Sequence, residues 1–79
     1  MNFLRCYIDP YSEKQMIRDS FSHKEYWVKY HDLCEKLYDL CVEKGYKKVR
    51  LEGSYFESFE LMGKFQNMYP TSDIVLYTI

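Results

Sequence analysis

Residues 12–29, SEKQMIRDSFSHKEYWVK, decide the fold, because they offer two consecutive helix starts. Ser12-Glu13-Lys14-Gln15 has the capping-box pattern, a hydroxyl residue followed three positions later by Glu or Gln. It predicts a short helix over about 13–20, carrying Met16, Ile17 and then Phe21. Ser22-His23-Lys24-Glu25 repeats the pattern, and Phe21 with Tyr26 is spaced for a hydrophobic staple. A long helix is therefore expected over 23–44, with Gly45 as its stop. Along it Tyr26, Trp27, Tyr30, Leu33, Cys34, Leu37, Tyr38, Leu40 and Cys41 form one broad apolar stripe at helical spacing.

On either side of this stretch lie strand signals. FLRCYI (3–8) alternates and is stopped by Asp9-Pro10; KKVRLEG places a strand over 47–52; DIVLYTI places another over 73–79. Between the last two, Ser54 and Glu57 form a further capping box and open a helix over 55–68. The expected order is β-α-α-β-α-β. The expected fold is a small α/β domain over 1–79, with a three-stranded, mainly parallel sheet and right-handed crossovers. If both crossovers lay on one side of the sheet, its other side would be bare.

Helix 55–68 is apolar on two sides. Tyr55, Phe56, Phe59, Met62 and Gly63 fall on one, and Leu61, Phe65 and Met68 on nearly the opposite one. A surface helix usually has a single apolar stripe. The reading is that the Tyr55 side packs on the sheet, while Leu61, Phe65, Met68 and the following Tyr69 meet another protein or a second copy of the chain.

Composition narrows the function classes. The chain has 11 basic and 12 acidic residues, a net charge of −1, which argues against a dedicated nucleic-acid binder or an acidic DNA mimic. Aromatic residues reach 19%, with nine Tyr, five Phe and one Trp, more rings than so small a core should hide. Three cysteines, an odd number, fit a reducing compartment better than a disulfide framework. No leader pattern precedes Asp9-Pro10 and no apolar run reaches membrane-spanning length. The expectation is a cytoplasmic protein without a membrane segment.

No complete catalytic set is visible. His31 and Cys34, with Cys41 and His23, lack the paired spacing of a metal site and the orienting third group of a nucleophile. The one basic cluster, Tyr46, Lys47, Lys48 and Arg50, could contact a phosphate backbone and stack a base. Gly53-Ser54 followed by Asp73 resembles the nucleotidyltransferase signature, in which a Gly-Ser turn opens a helix and a later strand carries two alternating carboxylates that hold magnesium. The resemblance implies nucleotide binding by Gly53, Ser54 and Asp73. Val75 occupies the second carboxylate position, so no activity, metal or cofactor is expected. The leading expectation is a non-catalytic protein-binding module. Its composition, rich in Tyr, Lys, Asp and Met, looks like that of small phage-encoded proteins that inhibit host machinery. Nucleic-acid binding through Tyr46, Lys47, Lys48 and Arg50, and a nucleotide-binding or degenerate nucleotidyltransferase-like enzyme using Gly53, Ser54 and Asp73, are the alternatives.

Overall fold

The computed structural model describes residues 3–79. Its strands are β1 (Phe3–Ile8), β2 (Lys14–Asp19), β3 (Lys24–Lys29), β4 (Lys48–Gly53) and β5 (Val75–Thr78). A single 3-10 turn, Tyr30–Asp32, leads from β3 into helix α1 (Leu33–Lys44), and helix α2 (Tyr55–Met68) joins β4 to β5. The strands form one five-stranded sheet in the order β3-β2-β1-β4-β5. β1, β2 and β3 are an antiparallel meander; β1/β4 and β4/β5 are parallel pairs.

This corrects the three-stranded, mainly parallel sheet. The segment expected as helix 13–20 is β2, and the first third of the expected helix 23–44 is β3, so the order is β-β-β-α-β-α-β. The two capping-box patterns do other work. Ser12 donates its hydroxyl to the Lys14 carbonyl at 2.7 Å. Ser22 sits in a four-residue hairpin turn that the Asp19 carboxylate shapes by accepting from the Phe21 (2.9 Å) and Ser22 (3.4 Å) backbone N–H groups. His23 closes that turn in the left-handed region, φ 57°.

Two polar residues hide the two-residue period of β2. Its inward positions are Gln15, Ile17 and Asp19, all fully or almost fully buried. The Gln15 carboxamide accepts from the Asp9 N–H (2.7 Å) and donates to the Asp9 and Ser12 carbonyls (3.0 and 3.1 Å), tying down the loop after β1. Asp19 is held by Tyr46, whose hydroxyl donates to the carboxylate and accepts from the Phe21 N–H at 2.8 Å. Lys44 Nζ stands 3.9 Å from the other carboxylate oxygen. Burying a polar group is tolerable when it is hydrogen-bonded, as Gln15 and the Asp19 Oδ1 atom are; Asp19 Oδ2 has only the Lys44 charge beside it.

One core cluster joins the inward side chains of the sheet to both helices: Leu4, Cys6, Ile8, Ile17, Val49, Leu51 and Leu76 meet Leu33, Leu37, Leu40, Leu61 and Phe65. Both helices therefore cover the same side of the sheet. The other side carries no element of the described chain.

Two glycines set the ends of elements. Gly45, φ 80°, is the left-handed stop of α1, as its sequence position implies. Gly53, φ 105°, ends β4 beside Ile8, where a Cβ would collide with the Ile8 carbonyl oxygen. Ser54 follows, donating its N–H to that oxygen at 2.9 Å and capping α2 by accepting from the Glu57 N–H.

Candidate functional site

The uncovered side of the sheet is built from alternate residues of five strands. Register pairs place Arg18, Arg5, Arg50 and Tyr77 side by side on one rung, with Glu25 beside Arg18 at the β3 edge. The next rung toward the C-terminal end of β1 carries Trp27, Met16, Tyr7 and Glu52. Phe3 and Lys48 are partners at one end, and Lys14 and Lys29 at the other. Trp27 is 61% exposed and Tyr7 47%.

Charge is sorted between the two sides of the sheet. Of the 11 basic and 12 acidic residues of the chain, alternation puts Arg5, Lys14, Arg18, Lys29, Lys48 and Arg50 on the uncovered side, against Glu25 and Glu52. That leaves five basic and ten acidic residues for the rest of the molecule. A net charge near zero thus conceals a basic sheet face backed by an acidic helical side.

Glu52 partly neutralises the arginine rung. It accepts two bonds from Arg5, at 2.7 and 3.1 Å, and lies 3.7 Å from Arg50. The Arg5 hydrogen bond holds the Glu52 carboxyl below its ordinary range, against the opposing effect of desolvation. Arg50 also sits over the Phe3 ring, 5.9 Å from its centroid. Arg18 has no ion pair among the described residues.

The residues singled out in the sequence are redistributed. Leu61 and Phe65 are 1% and 3% exposed, packed in the core, so the side expected to meet a partner is the one on the sheet; Met62, expected to face the sheet, also packs against the core. Tyr69 packs against the core, stacked on Tyr38 at 3.9 Å between centroids, and Met68 is exposed. The outer side of α2 instead presents Tyr55, Phe56 and Phe59, with Tyr55 in edge contact with both phenylalanines at 5.8 and 4.7 Å. The cluster 46–50 is divided. Tyr46 is buried and cannot stack a base, Lys47 pairs with Asp73 at 2.8 Å, and only Lys48 and Arg50 face the open side.

Gly53-Ser54 and Asp73 do not meet. β4 and β5 run parallel, so Asp73 lies beside Lys47 at the start of β4 while Gly53 lies at its end. Asp73 has its carboxyl lowered by the Lys47 hydrogen bond, as in an ordinary surface ion pair. His31 is exposed and Cys34 buried, so they form no pair. Burial pushes the Cys6 and Cys41 thiols up to about 12 and raises that of Cys34, which leaves all three protonated near neutrality. Among the described residues no three or more His, Cys, Asp or Glu side chains are grouped to hold a metal ion. No described helix is long and apolar enough to cross a membrane.

Comparison of the chain with protein-family models, with curated proteins and with solved structures finds no match.

Proposed function

We propose that the protein binds single-stranded nucleic acid on the uncovered side of its sheet. One observation carries this reading: three arginines share one rung, and the exposed rings of Trp27 and Tyr7 stand on the next. Arginine supplies a planar fork for phosphate, and aromatic faces stack bases with little regard to sequence. The sheet presents both at the spacings of its rungs and strands, roughly 6.7 and 4.8 Å. The site keeps Lys48 and Arg50 of the basic cluster and replaces Tyr46 and Lys47 with residues from β1, β2 and β3. The test is fluorescence anisotropy with a labelled oligothymidylate, using polyglutamate as competitor. Binding that resists polyglutamate and weakens about tenfold or more in Trp27→Ala supports the reading, since one stacked base is worth roughly 1–3 kcal/mol. Equal displacement by polyglutamate, with Trp27→Ala unchanged, contradicts it and favours a generic acidic partner.

A second reading, protein binding, is favoured by the Tyr55, Phe56 and Phe59 cluster. Phe56 and Glu60 are one turn apart on the same side of α2, so the fitting partner is an apolar patch with a basic rim. A cellular protein retained by wild type after nuclease treatment, and lost with Phe56→Asp, would support it. Retention that nuclease abolishes would return the weight to the first reading.

A further inference from the structure

The uncovered face is not uniform. Near the β2–β3 turn it sinks into a depression of about 400 Å³ lined by Phe3, Arg5, Arg18, Ser20 and His23. Arg5 and Arg18 are direct register partners, and like charges placed opposite each other on a sheet are destabilising. Arg5 is drawn toward β4 by Glu52. On the other flank Glu25 is the register partner of Arg18 but makes no ion pair with it. Among the described residues no acidic side chain lines the depression itself. Its turn wall is fixed from below, because the buried Asp19 carboxylate holds the Phe21 and Ser22 N–H groups.

We infer that this depression is a phosphate site, taking one phosphate group between the guanidinium groups of Arg18 and Arg5. Two unlike features point there: a concavity that both arginines line, and a paired repulsion that an anion would convert into attraction. Arg18 is the principal ligand because its charge is uncommitted, while Arg5 is shared with Glu52. Phe3 in the same wall offers a ring to the adjoining base. The ligand class is a phosphate mono- or diester, and the inference rests on the nucleic-acid reading of the open face for its source.

The test is a pair of amide NMR titrations at low salt, one with inorganic phosphate and one with an oligothymidylate. Both are run on wild type, Arg18→Gln, Arg18→Lys and, as a distant control, Lys64→Gln. The expected result is saturable phosphate shifts centred on residues 3, 5, 18 and 23. They weaken at least tenfold in Arg18→Gln and several-fold in Arg18→Lys, which keeps the charge but loses the fork. Lys64→Gln should match wild type. Phosphate shifts scattered over all basic residues, or unaltered by Arg18→Gln in a spectrum that remains dispersed, overturn the site. Oligonucleotide binding that leaves these four residues unperturbed overturns the site and spares the nucleic-acid reading. Phosphate binding here without oligonucleotide binding supports the site, with a free phosphate as its source, and removes that reading.

Discussion

Asp19 and Tyr46 form a buried joint between the β2–β3 hairpin and the segment entering β4, and its protonation has consequences at both ends of the pH scale. Burial alone would raise the Asp19 carboxyl, but hydrogen bonds from Tyr46, Ser22 and Phe21 outweigh it and hold the group below its ordinary range. The unfolded chain regains the ordinary value of about 3.9. Asp19 therefore stabilises the fold above that pH, and its contribution is lost as pH falls through the lower, folded value. Tyr46 behaves oppositely: burial, then the Asp19 hydrogen bond, raises its hydroxyl. Its contribution is full below about pH 10 and is lost as pH rises through the folded value. Urea unfolding followed against pH should show Asp19→Asn flattening the acid limb and Tyr46→Phe flattening the alkaline one. Tyr46→Phe should also cost about 1–3 kcal/mol near neutrality, because the Phe21 N–H and Asp19 lose a partner. The glycines make a second comparison. Gly45→Ala meets open space and should cost about 1 kcal/mol, the ordinary charge for a left-handed alanine. Gly53→Ala should cost several times more, since its Cβ meets the Ile8 backbone. Equal costs in urea titration would show that the β1–β4 junction yields.

At the scale of elements, legibility followed the chemistry of the inward positions. β1 and the inward half of β4 alternate cleanly, with Leu4, Cys6, Ile8, Val49 and Leu51 buried, and their strands lie where the sequence places them. Gly45 and Ser54 fix the end of α1 and the start of α2 for local reasons a sequence displays. β2 was illegible because Gln15 and Asp19 occupy core positions, so its buried side reads as polar. β3 is an edge strand whose Trp27 faces outward and whose Tyr26 is only half-buried, which made its apolar residues look like the start of a helical stripe. For α2 the deciding signal is continuity. Ser58, Leu61, Phe65 and Tyr69 follow one another at three- and four-residue steps, with Met62 beside them, and all pack inward, whereas the run of Tyr55, Phe56 and Phe59 stops after one turn. The prediction at this scale is an asymmetry of stability. Phe65→Ala should cost about 3–5 kcal/mol as a core truncation, and Phe56→Ala, 82% exposed, should change stability by no more than about 0.5 kcal/mol. Thermal or urea unfolding of the two variants checks it. The reverse ranking would restore the orientation first read from the sequence.

For the whole molecule, the site was legible only in fragments. Lys48 and Arg50 stood out as a local cluster, but Arg5, Arg18 and Trp27 lie on β1, β2 and β3, two of them in segments that read as helix, and they join the β4 residues on one side only when the strands pair in the order β3-β2-β1-β4. A net charge of −1 concealed the convergence, because the acidic excess gathers on the other side. Bare sheet, sorted charge and exposed rings together make the central claim, and ionic strength separates it from its rivals. The most direct measurement is the salt dependence of oligothymidylate binding. With about three phosphates held, one by Arg18 and Arg5 together and one each by Arg50 and Lys48, log K should fall against log[salt] with a slope near −2, at about −0.7 per phosphate for a single strand. The slope should become shallower by roughly 0.7 in Arg18→Gln and stay unchanged in Trp27→Ala, which lowers affinity alone. A flat salt response, or a slope that Arg18→Gln leaves intact, would contradict the account.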